Sequence, residues 1–236
     1  MRAGALLEIR GSGGYGFASA AANDHLQLMT LTLSHVRNAL AMPPLGERSD
    51  FDLNLDIKAE QLGIHKQRPA AVLCGLIERA DGLHVMLTKR AAHLNQHAGQ
   101  VAFPGGKIDC HDTSPMAAAL REANEEVGLG AERVEIIGTL DQYLTSTGFR
   151  VTPFVGVFDP HWHAFPDYEE VEEVFETPLD FLMDPASREY HHHDRWGTRR
   201  YYYAMPWGAY YIWGATAGML KGLSDRIAAL AEQGGL

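Results

Sequence analysis

The segment LREANEEVGL at positions 120–129 constrains the fold of this chain more than any other stretch. At about 100° per residue on a helix, the carboxylates of Glu122, Glu125 and Glu126 fall on one side. Four apolar side chains fall on nearly the opposite side: Met116, Leu120, Ala123 and Val127. A helix of this kind buries its apolar stripe against another layer of structure. The segment therefore predicts a helix that lies on a sheet and presents three carboxylates.

The ends of this helix are marked by residues with known positional preferences. Ser114 is a good N-cap, and Pro115 suits the first helical position. Gly128 or Gly130 can end the helix in a left-handed conformation. We therefore expect the helix over about residues 115–127.

Two explanations compete for the acidic face of the helix. Like charges at these spacings repel, so the placement gives a structural protein no advantage. Oxygen ligands in a cluster are what Mg²⁺ or Mn²⁺ prefers, and Arg121 can hold Glu125 in place from one turn away. An acidic helix face is, however, also a common solvated surface.

A glycine pair just before the helix favours the metal site. In FPGGKID, at positions 103–109, Gly105 and Gly106 allow close approach of the backbone and positive φ angles. A backbone carbonyl from such a loop can join carboxylates on a metal ion. A glycine pair alone indicates only a turn, but the pair followed by Arg-Glu-X-X-Glu-Glu is specific.

Strand patterns surround this helix. PAAVLCGLIE from Pro69 predicts a buried strand, Asp81-Gly82 a hairpin turn, and LHVMLTKR the partner strand. Further strands are predicted at about 133–142, 151–158, 171–176 and 199–205, helices at 29–42, 178–184 and over the C-terminal segment, and irregular structure at 43–67 and 91–113. Because strands and helices mix without strict alternation, we expect the α+β class, an α/β/α sandwich with a mixed β-sheet between helices.

The acidic helix and the residues before it resemble the Nudix box. That box runs glycine, five residues, glutamate, seven residues, then Arg-Glu-apolar-X-Glu-Glu-X-Gly-apolar. Residues 121–129 match its second half residue for residue. The first half departs, because the place of the early glutamate, counted from Gly106, holds Asp112, and eight residues separate Asp112 from Arg121.

This departure is similar to one branch of the superfamily, the coenzyme A pyrophosphatase subfamily. Its extended signature is matched within LTKRAAHLNQHAGQVAFPGGKIDCHD, positions 87–112. Segments 147–156, 171–179 and 212–220 also resemble that branch, so the resemblance covers about residues 69–224. It implies a Nudix-like domain over residues 68–236, preceded by a helix and connector at 29–67 and a disordered extension at 1–28.

The resemblance implies metal-dependent hydrolysis of the diphosphate of coenzyme A (CoA), giving 4′-phosphopantetheine and adenosine 3′,5′-bisphosphate. Mg²⁺ or Mn²⁺ would be held by the three helix carboxylates and the Gly106 carbonyl, with Arg121 orienting Glu125. Three candidates compete for the general base: Glu122, Glu170 and Glu173. Substrate contacts are expected from Arg90, Lys107 and Gly105.

Composition limits the partners. A formal charge of −10 disfavours a nucleic-acid binder but leaves room for an anionic substrate, since metal ions supply positive charge. No apolar run reaches the roughly 20 residues that cross a bilayer. The two cysteines form no zinc or disulfide pattern, so we expect a cytoplasmic protein.

Two further features leave their roles open. His191, His192 and His193 cannot easily share one metal ion on a strand, because consecutive side chains point to alternate faces. We therefore expect them on a surface or loop. The aromatic run from Tyr201 to Trp213 can pack in the core, form the face of a homodimer or stack on an adenine.

Three functions compete with hydrolysis of CoA or a CoA derivative. One is a Nudix diphosphatase acting on ADP-ribose or another nucleotide, which the signature at 87–112 disfavours. Another is a catalytically silent, nucleotide-binding regulator, which would be expected to lack box carboxylates that are present here. The third is a structural domain, for which the specific spacing has no use.

Overall fold

The fold combines β-strands of very different lengths with α-helices. The computed structural model describes residues 30–195 and 198–235. The strands are β1 (Arg48–Ser49), β2 (Arg68–Arg79), β3 (Gly82–Arg90), β4 (Val101–Ala102), β5 (Gly105–Lys107), β6 (Val134–Thr139), β7 (Tyr143–Leu144), β8 (Phe149–Phe158), β9 (Val171–Pro178), β10 (Glu189–Arg195), β11 (Thr198–Trp207) and β12 (Tyr210–Trp213). The α-helices are α1 (Leu33–Ala41), α2 (Pro115–Val127), α3 (Leu179–Met183) and α4 (Ala215–Glu232).

The described strands form two sheets. The larger has nine strands in the order β1-β7-β8-β2-β3-β4, with β5 paired to β2, β6 to β8 and β9 to β3. β2 is parallel to β8 and antiparallel to β3, so the sheet is mixed, as predicted. The smaller sheet is antiparallel, in the order β10-β11-β12.

Helices cover both faces of the larger sheet. On one face, Ala123 and Val127 of α2 pack with Leu73, Ile77 and Met86 of the central hairpin. On the other face, α1, α3 and α4 pack over a larger core; its fully buried members include Leu76, Leu87, Leu179, Leu220 and Ile227. The predicted α+β class, with a mixed sheet between helices, is confirmed. Within the described residues, no helix is both long and apolar enough to span a membrane.

A buried ion pair links α4 to the segment between β6 and β7. Arg226 donates to both carboxylate oxygens of Asp141, at 3.2 and 3.4 Å, and also to the carbonyls of Leu40 and Thr139. The two charged side chains are only 3% and 2% exposed. Each charge is therefore matched inside the core.

The central hairpin forms as predicted, with its turn shifted by one residue. Arg79 pairs with Gly82, so Ala80 and Asp81 form the two-residue loop and Gly82 is already in the strand. Gly82 has a φ of 129°, a conformation that glycine adopts without steric cost. The predicted hairpin is therefore correct, but its loop is Ala80-Asp81 instead of Asp81-Gly82.

Two segments predicted as irregular contain strands, and the histidine run, predicted on a surface or loop, lies on a partly exposed strand. The connector 43–67 holds β1, which pairs with β7, and a 3₁₀ turn at Ala59–Leu62. The loop 91–113 holds β4 and β5. The histidine run lies in β10, paired with β11. These short or polar strands lack the alternating hydrophobic pattern that identifies longer ones. The predicted extension at 1–28 lies outside the described residues.

Candidate active site

Helix α2 begins and ends at the predicted residues. The Ser114 side chain accepts a hydrogen bond from the Ala117 amide at 3.1 Å, which satisfies one free donor of the first turn. Pro115 is the first helical residue. Gly128 ends the helix with a φ of 72°, and its amide donates to the carbonyls of Ala123 and Asn124. These caps set where α2 begins and ends.

The two faces of α2 are exposed to very different degrees. Ala118, Ala119, Ala123 and Val127 are buried against the sheet, as their spacing requires. The prediction was wrong for Met116, which is exposed at the start of the helix. The three carboxylates form a gradient: Glu125 is 57% exposed, Glu122 is 18% exposed and Glu126 is 5% exposed.

The glycine pair forms β5, which lies between β2 and α2. Val72 pairs with Gly105, and Ala71 pairs with Gly106. A Cβ atom on Gly105 would lie 2.5 Å from the Ala71 carbonyl oxygen, and one on Gly106 would lie 2.5 Å from a Glu122 carboxylate oxygen. Only glycine leaves room beside the backbone of β2 at position 105, whereas at position 106 a larger residue would displace the Glu122 carboxylate. The backbone of the predicted loop therefore lies directly beside Glu122.

Arg121 connects the surrounding carboxylates. Its guanidinium donates to both oxygens of Asp112, each at 3.0 Å, to Glu125 at 2.8 Å and to Glu122 at 3.1 Å. It also reaches the Lys107 carbonyl at 3.3 Å. The hydrogen bonds from Arg121 lower the pKa of Asp112, and in return Asp112 raises the pKa of Arg121. Arg121 thus orients more than Glu125, the one partner expected from the sequence.

Glu126 is the buried end of the acidic face. Burial is the main cause that raises the pKa of Glu126 to about 8, and the neighbouring Glu122 and Glu170 carboxylates contribute to this rise. Arg90 and a hydrogen bond from the Gly105 backbone act in the opposite direction. The Arg90 guanidinium is 3.8 Å from the Glu126 carboxylate, beyond hydrogen-bond distance. Burial likewise raises the pKa of Glu122, although Arg121, which donates to Glu122 at 3.1 Å, acts in the opposite direction.

The predicted base candidates lie in different surroundings. The loop before β9 is tied to the end of α2, since Phe165 donates to the Val127 carbonyl and Asp167 donates to the Glu126 carbonyl. This places Glu170 3.9 Å from Arg90. Glu173 accepts a hydrogen bond from the Tyr210 hydroxyl on β12. Glu170 therefore lies in the same group as Arg90 and Glu126. Glu173 instead contacts the smaller sheet through Tyr210.

The remaining sequence candidates also lie around this site. Arg90 is 27% exposed and lies between Glu126 and Glu170, whereas the Lys107 side chain is exposed and its carbonyl accepts from Arg121. Asp112 is the residue that the sequence reasoning left without a role. The sequence feature that could have indicated a role for Asp112 is its position, which is that of the early glutamate in the box.

These residues fit a divalent cation by their donor chemistry. Glu126 is a buried carboxylate with no cation at hydrogen-bond distance, and the Glu122 carboxylate adjoins a glycine backbone. Hard divalent ions prefer such oxygen donors. The three α2 carboxylates do not lie within 4.8 Å of one another, and Arg121 donates to two of them, Glu122 and Glu125. Among described residues, Asp109, Cys110 and His111 are more tightly grouped, within 4.8 Å, but they are exposed and of mixed donor type.

Known proteins match the chain over this site. The model of the NUDIX domain matches residues 66–201. A relative named "Uncharacterized Nudix hydrolase NudL" from Enterobacter sp. (strain 638) is 46% identical over 164 residues, 68% of this chain and 83% of the relative. The protein of the same name from Citrobacter koseri is 44% identical with the same coverage.

Solved structures of Nudix proteins also align with the chain. The alignment with RenU, a Nudix hydrolase from M. smegmatis, covers 50% of this chain and 75% of RenU, with 26% sequence identity and a TM-score of 0.39. The alignment with the NUDIX domain of Shewanella oneidensis NrtR, complexed with ADP ribose, covers 52% of this chain and 84% of that domain, with 20% sequence identity and a TM-score of 0.39.

The family assignment rests on the domain match and the relatives. The matched domain spans more than half of the chain and contains the glycine pair, α2 and Glu170. The relatives are matched over most of their own length. The chain therefore belongs to the Nudix hydrolase family.

Proposed function

We propose that this Nudix hydrolase cleaves the diphosphate of CoA or a CoA derivative, giving 4′-phosphopantetheine, or its acyl form, and adenosine 3′,5′-bisphosphate. The observation that carries the proposal is the place of the extended signature. Its residues run from the end of β3 through β4 to β5, so they join Arg90 to the glycine pair beside Glu122. The segment that resembles the CoA branch thus lies beside Glu122 and Glu126.

The loop within the signature has a defined shape. Gly99 donates to the Arg90 carbonyl, and Arg90 donates to the Gln100 carbonyl, so the loop closes on Arg90. His97 has a φ of 58°, and its ring nitrogen is 2.7 Å from Gln100 Oε1. A non-glycine residue in this conformation is uncommon, and such strain is concentrated at ligand sites. These features support a role in substrate recognition.

Mg²⁺ or Mn²⁺ is the proposed cofactor, held by Glu122, Glu125, Glu126 and the Gly106 carbonyl. When bound, such ions supply the positive charge that a diphosphate needs and assist activation of a water molecule. Arg121 orients Glu122 and Glu125, and Asp112 holds Arg121. Arg90, Lys107 and Gly105 are the proposed phosphate contacts.

The proposed general base is Glu170 or Glu122. Both lie in the group of negative charges around Glu126, and burial raises the pKa of Glu122, which favours proton acceptance. Glu173 stays a third prediction, since its hydrogen bond with Tyr210 would have to break before it could act.

The chain is proposed to act in the cytoplasm and to form a homodimer. Both cysteines are free, with Cys74 buried and Cys110 exposed, which suits the reducing cytoplasm. Burial raises the pKa of Cys74 to about 12, so this thiol is unreactive. Exposed Tyr190, Tyr201 and Tyr211 on the smaller sheet would suit a homodimer face.

The purified protein should be incubated with CoA, ADP-ribose, NADH and a deoxynucleoside triphosphate in Mg²⁺ or Mn²⁺. Release of adenosine 3′,5′-bisphosphate from CoA, lost in Glu126→Gln, is the expected result. Cleavage of ADP-ribose or the triphosphate in preference to CoA would reject the substrate while keeping the mechanism. If neither Mg²⁺ nor Mn²⁺ supported hydrolysis of any of the four substrates, the result would indicate a catalytically silent, nucleotide-binding regulator.

A further inference from the structure

A group of cationic side chains lies where β1, α4 and the start of the smaller sheet meet. Arg48 is in β1, Arg188 directly precedes β10, and Lys221 is in α4. Arg48 Nη2 and Lys221 Nζ lie 2.9 and 2.6 Å from the same carboxylate oxygen of Asp225. Arg188 donates to the hydroxyl of Ser224, the residue before Asp225, at 3.0 Å. We call the three cations together with Asp225 the basic cluster.

The basic cluster carries more positive charge than its neighbouring carboxylates neutralise. Asp225 supplies one negative charge for three cations, and within the described residues no carboxylate lies at ion-pair distance from Arg188. Asp184 attracts Arg188 from farther away, but its side chain caps the following turn. Glu189, the next residue along the chain, pairs with His191 instead. A local excess of cations therefore exists in a chain whose formal charge is −10.

Much of this positive charge is removed from water. The side chains of Arg48 and Lys221 are 14% and 20% exposed. Burial lowers the pKa of Arg188, and it is also the main cause that lowers the pKa of Lys221, where Asp225 acts in the opposite direction. In the described part of the chain, the buried Nε atoms of Arg48 and Arg188 have no hydrogen-bond acceptor. Since buried donors without acceptors are costly, an acceptor from a ligand would stabilise the cluster.

The basic cluster is separate from the carboxylate site and can be reached from solvent. Lys221 and Asp225 belong to α4, whereas the catalytic carboxylates are on α2, across the larger sheet. The Asp225 side chain is 27% exposed, and Tyr190 beside it is 63% exposed. Tyr190 packs on Tyr203, whose ring centre lies 5.7 Å from Lys221 Nζ. A small anion can therefore approach Lys221 without entering the catalytic site.

The donor chemistry indicates a phosphate group as the ligand. Guanidinium groups match phosphate oxygens geometrically, and a phosphate carries up to about two negative charges with several acceptor oxygens. We propose that the basic cluster binds the phosphate group of a small anion through Arg188 and Lys221, while Arg48 stays paired with Asp225. The phosphate can be inorganic phosphate or part of a small phosphate ester, and the experiment distinguishes these sources. The inference does not depend on the proposed function.

Calorimetric titration with inorganic phosphate and with glycerol 3-phosphate, at constant ionic strength, tests the site. A chelator removes metal ions that would bind phosphate at the α2 carboxylates. Arg188→Gln and Lys221→Gln should each weaken binding about tenfold, since loss of one charge-assisted hydrogen bond has effects of this order. Arg37→Gln is the matched control, because Arg37 is 40% exposed and pairs with Glu135. Circular dichroism checks folding, and Arg188→Lys, which keeps the charge, replaces Arg188→Gln if that variant unfolds.

Absence of saturable binding of both probes would overturn the inference, as would equal affinity in wild type, Arg188→Gln and Lys221→Gln. Binding lost only in Arg90→Gln would place the phosphate at the catalytic site and reject the basic cluster. If both probes bind and depend on Arg188, the cluster accepts phosphate esters, whereas binding of inorganic phosphate alone identifies the free ion as the ligand. The titration requires no turnover, so a failure of the proposed function would leave it interpretable.

Discussion

Two buried carboxylates on opposite faces of the larger sheet have opposite surroundings. Asp141, beneath α4, accepts both hydrogen bonds of a buried Arg226 guanidinium, whose remaining donors reach backbone carbonyls. Glu126, on α2, is equally buried, but its nearest guanidinium, Arg90, is 3.8 Å away and is shared with Glu170. A matched charge fixes the fold, whereas an unmatched charge destabilises it and is retained where a ligand completes the site.

Glu126→Gln should have the largest effect, on catalysis. We expect kcat to fall roughly 10³-fold, the upper cost of removing one charge-stabilising group. Because the amide is neutral without taking up a proton, whereas the buried carboxyl must be protonated on folding, the metal-free variant should unfold at the same temperature as the wild type or higher. Turnover and thermal unfolding should be measured on the same samples.

Glu132→Gln is the control for this prediction, because Glu132 follows α2 closely but is 77% exposed. It should leave both quantities unchanged. Near-normal turnover in Glu126→Gln would mean that the unmatched charge serves no reaction, and the contrast with Asp141 would then have no functional meaning.

Asp141→Asn should have the opposite profile. Removing one partner leaves the Arg226 charge buried, so the free energy of unfolding should fall by about 3–5 kcal/mol. The kcat of the folded fraction should stay within about twofold, because the pair lies on the α4 side of the sheet. Urea unfolding at 20 °C and turnover at the same temperature measure the two effects.

Glu135→Gln serves as its control, since Glu135 pairs with Arg37 on the surface and such pairs contribute about 0–1 kcal/mol. A loss in Asp141→Asn no larger than that of the control would show that the buried pair is not the stabilising contact.

The pH dependence of stability should separate the two carboxylates further. The pKa of Glu126 is raised to about 8, well above its value in an unfolded chain, so the folded protein holds the extra proton between about pH 4.5 and 8. The stability it contributes is full below about pH 4.5 and is lost as pH rises through 8. In metal-free protein, the free energy of unfolding should therefore fall by up to about 1.4 kcal/mol per pH unit in this window.

Other groups also titrate in this range, so the comparison must be between wild type and Glu126→Gln. Urea unfolding at several pH values in a chelator should show the wild type losing stability relative to the variant as pH rises. Parallel curves for the two proteins would mean that Glu126 titrates normally and that its charge is matched after all.

The local parts of this contrast could be predicted from the sequence. The caps at Ser114 and Gly128, the acidic and apolar faces of α2 and the central hairpin follow from spacing and residue preferences within a few positions. The glycine pair beside Glu122 was also expected from its place before the helix. In each case the determining residues are close together in the chain.

The long-range parts could not be predicted. Asp141 and Arg226 are 85 residues apart, and the pairing of Asn54 with Tyr201 spans 147 residues. Neither pair has a local pattern. The different surroundings of Glu170 and Glu173 depend on how the loop before β9 binds the end of α2, which the local sequence does not reveal. Tertiary contacts determine all of these arrangements.

Asp112 provides the smallest expected effect and tests how far the contrast extends from Glu126. Its side chain is 4% exposed and holds Arg121 by two hydrogen bonds, so it resembles Asp141 in being matched, yet its partner orients the α2 carboxylates. Asp112→Asn should lower kcat about 10–100-fold, the usual cost of losing a group that orients metal ligands. The Mg²⁺ concentration for half-maximal activity should rise in parallel, a change that a purely structural role would not produce. Asp109→Asn, in the same turn but without a described contact to Arg121, should keep both values. If Asp112→Asn instead lowered only thermal stability, as expected for Asp141→Asn, the contacts of Arg121 with Asp112 would be structural, like those of Arg226 with Asp141. The functional difference between the two faces of the sheet would then rest on Glu126 and its neighbours alone.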